Sequence, residues 1–212
     1  MKTTESKKKL INLLTQSNII TFDNDYKNNS GQPYHINLRL LNFYPKAMKL
    51  TAQFFGESLK DYTFGLLAGP FTDILLATTI SLEFDWPMIF VRQERKEHGT
   101  ERLVEGNFQP GERVAVIDDE VDDIAGTLQL MGRLEGSGLE IVGLFTLLDR
   151  EFGAVKAVEE KGYKCFPLLT LNDIFLEMVQ SGTLRQQQLE VLKKFTEERR
   201  REFLSKNNLT TS

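Results

Sequence analysis

A chain of 212 residues, 41% apolar, has the length and content of one α/β domain with at most a small lobe. Its net charge of −4 and pI near 5.4 argue against a general grip on nucleic acid, which needs a basic face. A lone cysteine, Cys165, excludes an internal disulfide framework and a cysteine-based zinc site, and His35 and His98 stand too far apart for a zinc-ligand spacing. Cys165 lies in the apolar run Cys-Phe-Pro-Leu-Leu, which predicts a buried, inert thiol. No apolar run approaches a membrane span and the polar N-terminus does not read as a secretion signal, so the expected location is cytoplasmic, with no membrane partner.

In chain order, residues 7–14 pattern as a short amphipathic helix, and residues 24–33 collect Asn, Asp, Ser, Gly and Pro as a loop does. Tyr34, Ile36, Leu38 and Leu40 alternate, predicting a half-buried strand from Tyr34 to Leu41. Pro45 opens a helix through Met48, Ala52 and Phe55, with Gly56 near its end. A βα alternation then begins. Its units are a strand over Tyr62–Ala68, a turn at Gly69-Pro70, and a helix over Thr72–Phe84 burying Ile74, Leu75, Ala77 and Ile80. Pro87–Val91 is a strand, 92–111 a charged excursion, Val114–Ile117 a strand, and roughly 126–137 a helix carrying Leu128, Met131 and Leu134. A strand at Ile141–Leu148, a helix at 152–161, a strand at Lys164–Leu168 and helices near 171–180 and 184–204 complete the chain. Strands alternating with helices predict an α/β fold, a mostly parallel sheet flanked by helices. With no repeat, linker or low-complexity stretch, residues 1–212 read as a single domain.

The most informative stretch is Arg113-Val-Ala-Val-Ile-Asp118-Asp119-Glu120-Val-Asp122-Asp123-Ile-Ala-Gly126-Thr127-Leu. A buried strand runs into five carboxylates, then turns through small residues into a helix. Ligands of open α/β sheets sit beyond such strand ends, and backbone N–H groups at a helix start bind phosphate. Acids this close repel one another unless a cation or sugar hydroxyls lie among them. Read alone, the stretch is either such a site or an ordinary turn with solvated acids. The segment Arg92-Gln-Glu-Arg-Lys96-Glu-His98-Gly-Thr, followed by Leu103-Val-Glu-Gly106, is open in the same way, since a charge run is usually a solvated hairpin.

Taken together, the two stretches resemble the orotate phosphoribosyltransferases, members of the type I phosphoribosyltransferase family. Arg-x-Glu-x-Lys-x-His-Gly-Thr is similar to that family's mobile catalytic loop, and the acidic strand end to its ribose-phosphate signature. The likeness extends over almost the whole chain. Lys27, with Pro33 and Arg39 following, is similar to the N-terminal segment that lies over orotate, and Ala-Gly-Pro-Phe-Thr-Asp73 to the turn that holds pyrophosphate. Leu147-Leu-Asp149-Arg150-Glu151 is similar to the strand end whose arginine binds the orotate carboxylate. A guanidinium fork suits a carboxylate there; the alternative is that Arg150 is a surface partner for Asp149 or Glu151.

The resemblance implies a type I fold with a small N-terminal hood (1–45), a mobile loop (92–111) and C-terminal helices (171–212). It implies transfer of phosphoribosyl from phosphoribosyl pyrophosphate to orotate in a homodimer with shared sites. Mg²⁺ is held mainly through the substrate rather than by dedicated side chains. Lys96, His98, Asp118 and Asp119 take the catalytic roles, and Lys27, Arg92, Arg150, Asp123, Ala125, Gly126 and Thr127 bind substrate. The chain departs from the family at Gln93, where the family's loop has a lysine, and at Asp73, where the family prefers a small residue. The phosphate loop admits two alignments. Without a gap, Asp122 and Asp123 fall where hydroxyl residues cradle the 5′-phosphate; shifted by one residue, Asp119-Glu120 becomes the acid pair and only Ile124 departs. The gapless alignment leaves open a binding protein on the same fold with no use for phosphoribosyl pyrophosphate.

Overall fold

Hydrophobic patterning becomes backbone as follows in the computed structural model, which describes residues 4–22, 32–92, 103–121, 124–207 and 209. The elements, in chain order, are α1 (Thr4–Gln16), β1 (Ile20–Phe22), β2 (Tyr34–Ile36), a 3₁₀ helix (Leu38–Phe43), α2 (Pro45–Leu59), β3 (Leu66–Pro70), a 3₁₀ turn (Phe71–Asp73) and α3 (Ile74–Phe84). There follow β4 (Met88–Val91), β5 (Val104–Glu105), β6 (Arg113–Glu120), α4 (Ile124–Gly136), β7 (Glu140–Asp149), α5 (Ala154–Glu159), β8 (Cys165–Thr170), α6 (Leu171–Gln180) and α7 (Gln186–Lys206). They group into two compact units, one of Met1–Thr51, Arg150–Gly153 and Leu169–Ser212, the other of Ala52–Asp149 and Ala154–Leu168.

The first unit packs α1, the antiparallel pair β1 and β2, and helices α6 and α7. Leu10, Ile11 and Leu14 share one face of α1 and are buried. The edges of Phe22 and Tyr34 meet the Phe175 ring at centroid distances of 6.1 and 5.7 Å, which anchors both short strands on α6. Helix α6 starts in a capping box, Thr170 accepting from the Asp173 N–H and Asp173 accepting from the Thr170 N–H.

The second unit holds the six-stranded sheet, ordered β5-β4-β3-β6-β7-β8. Pairs β3–β4, β3–β6 and β6–β7 are parallel, and β4–β5 is antiparallel. The α/β reading with a mostly parallel sheet is what the chain forms. Strand β6 runs through the middle, Val114 to Ile117 fully buried as a two-sided strand demands. Gly69 near the end of β3 is there for space: a Cβ would stand 3.1 Å from the Ala77 Cβ, so β3 and α3 approach closely only with glycine at that point.

Four local expectations need correction. The strand from Tyr34 stops at Ile36, because Leu38–Phe43 winds into a 3₁₀ helix that buries Leu38 and Leu41 on one edge, three residues apart. The strand expected from Tyr62 begins at Leu66: the Tyr62 N–H bonds to the Leu59 carbonyl, closing the end of α2, and its ring packs on Phe145 and Phe166. Gly69 and Pro70 are not a turn but the last two residues of β3, paired with Phe90 and Val91. Leu75 is 54% exposed and Leu76 takes its place in the core, because α3 starts at Ile74 after the 3₁₀ turn and its phase follows.

Candidate active site

Strand β6 is longer than its apolar run, and the three extra residues are acids: Asp118, Asp119 and Glu120 still belong to the strand. Parallel pairing with β7 holds them, Asp118 opposite Thr146 and Glu120 opposite Leu148. Asp118 is 9% exposed, while Asp119 and Glu120 are half-buried. Each backbone N–H here serves the preceding carboxylate: Asp119 N–H donates to Asp118 Oδ1 at 3.0 Å, and Glu120 N–H to Asp119 Oδ1 at 2.7 Å.

Asp73 joins them from the neighbouring strand end. It closes the 3₁₀ turn after β3, where Thr72 Oγ1 donates to its Oδ2 at 2.7 Å. One carboxylate oxygen from each of Asp73, Asp118 and Asp119 lies within 4.8 Å of the others. Burial raises the Asp118 pKa well above the ordinary carboxylate value; the charges of Asp73 and Asp119 raise it further, and the Asp119 N–H bond opposes them in part. Three converging carboxylates with one buried are a donor set for a hard divalent cation, which takes oxygen ligands.

Helix α4 starts at Ile124, directly after this strand end, and a helix presents its first-turn N–H groups and positive dipole end there. Ala125 and Gly126 are exposed in that turn and Thr127 is buried. An acid-ended strand leading into a helix N-terminus can bind a sugar phosphate, hydroxyls on the acids and phosphate on the backbone.

At the next strand, the hairpin of β4 and β5 brackets the charged segment. The Arg92 N–H donates to the Leu103 carbonyl at 2.9 Å, and the Arg92 guanidinium pairs with Glu105 at 2.8 Å. Arg133 of α4 reaches across and donates to the Arg92 carbonyl at 2.7 Å, tying α4 to the end of β4. In the other unit, Arg150 lies in the residues after β7 with its Nη2 at 3.4 Å from the Ile36 carbonyl, and Glu151 accepts from the Asn172 N–H at 2.6 Å. Glu151 takes a left-handed backbone, φ 60°, a conformation uncommon for a residue with a side chain.

Of the residues expected at the site, Asp118 and Asp119 come together, Ala125, Gly126 and Thr127 form the adjoining helix turn, and Arg92 stands at the hairpin base. Lys27, Lys96, His98 and Asp123 lie outside the described residues, as do Asp122 and most of the hood loop. Asp73, expected from the sequence as an added carboxylate in the turn after β3, joins the acids of β6. Two neighbours were not anticipated: Thr146 and Arg133 gave no signal, because a β7 residue is linked to Asp118 only by register and a helical arginine only by the three-dimensional path of β4.

This sheet, with acids at the end of its central strand and a helix start beside them, is compatible with the phosphoribosyltransferase resemblance, and comparison with known proteins supports it. No family model matches the chain, but individual proteins do. It is 34% identical over 173 residues to the orotate phosphoribosyltransferase of Pyrococcus abyssi, covering 80% of this chain and 95% of that one. Among solved structures, Leishmania donovani UMP synthase superposes with a TM-score of 0.77 at 29% identity, covering 91% of this chain. The chain spans 42% of that longer protein. The orotate phosphoribosyltransferase of Mycobacterium tuberculosis superposes with a TM-score of 0.66 at 26% identity, over 80% of this chain and 98% of that one. The chain belongs to the orotate phosphoribosyltransferase family.

Proposed function

We propose that the protein transfers phosphoribosyl from phosphoribosyl pyrophosphate to orotate, giving orotidine 5′-monophosphate and pyrophosphate. The observation that carries this reading is the unit of β6 and α4, which sets Asp118 and Asp119 beside a helix start. In the reaction a bond forms between the orotate ring nitrogen and the anomeric carbon as the bond from that carbon to pyrophosphate breaks. Positive charge develops on the sugar and negative charge on the leaving group. Asp118 and Asp119 accept hydrogen bonds from the ribose hydroxyls, and their charge favours the cationic sugar. Ala125, Gly126 and Thr127, with Asp123, form the 5′-phosphate cradle, backbone N–H groups serving as donors.

Lys96 and His98, with Arg92 at the hairpin base, neutralise pyrophosphate, and a loop that closes over the reactants keeps water from the sugar. Arg150 holds the orotate carboxylate and Lys27 covers the base. Mg²⁺, held mainly through the substrate beside the acids of β6, would supply charge neutralisation to pyrophosphate when bound. We place the protein in a homodimer whose loop completes the neighbour's site. The stripe of Phe71, Leu75 and Leu82, all well exposed on and before α3, supports a subunit contact. A reducing compartment, the cytoplasm, fits a chain whose one cysteine is buried and unpaired. Among the described residues no helix is long and apolar enough to cross a membrane.

The test is conversion of orotate, followed by its ultraviolet absorbance, with phosphoribosyl pyrophosphate and Mg²⁺. Calorimetry with phosphoribosyl pyrophosphate accompanies it. Binding and turnover are expected. Absence of both in the wild type, with binding created by Asp122→Thr together with Asp123→Ser, would replace this reading with a fold that has lost its phosphate site.

A further inference from the structure

We propose that Glu151 is a positioning residue for orotate: its bond to the start of α6 fixes the backbone that aims the Arg150 guanidinium at the orotate carboxylate. The proposal rests on the reading of Arg150 as the partner of that carboxylate, and adds to it what holds the arginine in place. Residues Arg150–Gly153 belong to the first unit, and three of them meet three different elements of it. Arg150 Nη2 lies 3.4 Å from the Ile36 carbonyl at the end of β2. Glu151 Oε2 accepts from the N–H of Asn172, the second residue of α6, at 2.6 Å. Gly153 lies against α7, where a Cβ would stand 3.2 Å from Leu204 Cδ2.

The holds on Arg150 and Glu151 are unequal. At 3.4 Å the arginine bond is longer than the roughly 2.7–3.2 Å of a well-formed N–H···O bond, and restrains a long side chain only weakly. The Glu151 bond is short and charge-assisted, and its carboxylate sits at the positive end of a helix. That bond also works against the local backbone. Glu151 takes φ 60°, where an L side chain crowds the neighbouring carbonyl, while the glycine that tolerates such a φ stands two positions later at Gly153. A backbone of this kind persists only where its surroundings hold it.

The consequence falls on Arg150. Rotation about the N–Cα bond of Glu151 turns residue 150 relative to α6, so the left-handed φ sets the direction from which the guanidinium departs. Without the Asn172 bond, Glu151 relaxes to an ordinary negative φ and Arg150 swings away from its aim. Substitution at 151 is a clean probe of this. Glu151 lines a recess of about 230 Å³ with Asn172, Lys193 and Arg200, so smaller or neutral side chains there meet no overpacking.

The experiment measures orotate and uracil affinity by calorimetry, with melting temperature in parallel. The proteins are wild type, Glu151→Gly, Glu151→Ala, Glu151→Gln, Arg150→Ala, and Arg150→Ala combined with Glu151→Gly. Glu151→Gly loses the carboxylate but accepts the left-handed backbone, so it should melt closer to wild type than Glu151→Ala does. Both should bind orotate about tenfold more weakly, within the range of coupling between neighbouring residues, with uracil affinity unmoved. Glu151→Gln keeps an acceptor at the same reach and should recover most of the loss, to within about threefold of wild type. In the Arg150→Ala background, Glu151→Gly should change orotate affinity by less than about twofold, because the residue it acts through is gone. Wild-type orotate affinity in both Glu151→Gly and Glu151→Ala overturns the proposal. So does an equal loss for uracil, or a loss undiminished in the Arg150→Ala background, since either marks general damage to the fold. Arg150→Ala separates this proposal from the reading beneath it. If it weakens orotate binding while the Glu151 variants do not, only the positioning role falls; if it leaves orotate binding unmoved, the role given to Arg150 falls and takes the positioning role with it.

Discussion

Replacing Asp118 by asparagine should make the protein more stable and less active at once. The Asp118 carboxyl is 9% exposed and shares its surroundings with two other carboxylates at up to 4.8 Å. At that distance, with an effective dielectric near 20, each charged neighbour costs about 3.5 kcal/mol. The Asp119 N–H bond at 3.0 Å returns part of this, and solvent around the half-buried Asp73 and Asp119 screens more. A net gain of about 2–4 kcal/mol for Asp118→Asn at about pH 8 in chelator follows. The sign also fixes the pH dependence. Burial first, then Asp73 and Asp119, raise the folded-state pKa above the unfolded value. Between the two values the folded chain binds more protons, so wild-type stability is full below the unfolded pKa and falls as pH rises through the folded one. Urea unfolding of both proteins at about pH 4 and about pH 8 measures the difference, which should be small in acid and large in base. Turnover should fall at least about tenfold, because a ribose-hydroxyl acceptor and its charge are lost together. A variant no more stable than wild type at the higher pH, or a difference flat across pH, would refute the argument that these charges are confined together.

Arg150→Ala should weaken orotate binding by about 2–4 kcal/mol, as loss of a desolvated charge partner does, and leave binding of uracil unchanged; calorimetry with both ligands checks it, and unmoved orotate affinity removes Arg150 from the site. Cys165 is buried, and burial, with Glu159 and Asp149 adding to it, pushes its thiol up to about 12. The native protein should therefore resist a thiol reagent at about pH 8 and react only at the rate of unfolding; fast stoichiometric labelling would contradict the packing. Leu75→Glu should shift the protein to monomer in sedimentation at nearly wild-type stability, since the side chain is 54% exposed; an unchanged mass would place the subunit contact elsewhere.

The parallel sheet was legible because its signals are local. Val114 to Ile117 is an apolar run bounded by charge, Ile141 to Leu148 another, and helices of the right length separate them. Misreadings cluster where two local patterns compete. Tyr34, Ile36 and Leu38 satisfy a period of two, yet Leu38 and Leu41 also satisfy a period of three, and the 3₁₀ helix won because it buries both. Tyr62 looked like the start of a strand because aromatic residues favour strands. Its ring instead fills space against Phe145 and Phe166, a choice made by residues more than eighty positions away. The phase of α3 was missed for a related reason, since a 3₁₀ turn ahead of a helix rotates its faces without altering composition.

The site divides along the same physical line. Asp118, Asp119 and the turn from Ala125 to Thr127 are contiguous in sequence, so a strand followed by acids and small residues reveals them without a structure. Asp73, Thr146 and Arg133 belong to the site only through register and crossover. Parallel pairing of β3 with β6 carries Asp73 to the acids, β6 with β7 sets Thr146 opposite Asp118, and α4 brings Arg133 to the Arg92 carbonyl. Each long-range arrival alters the chemistry that the contiguous motif implies. Asp73 adds a third carboxylate to the acids of β6, and Thr146, the register partner of Asp118, leaves a buried hydroxyl with no hydrogen-bond partner among the described residues. Arg133 joins α4 to the end of β4 through the Arg92 carbonyl. A motif therefore names the reaction, while the residues that set its electrostatics come from strands that only the folded sheet makes neighbours.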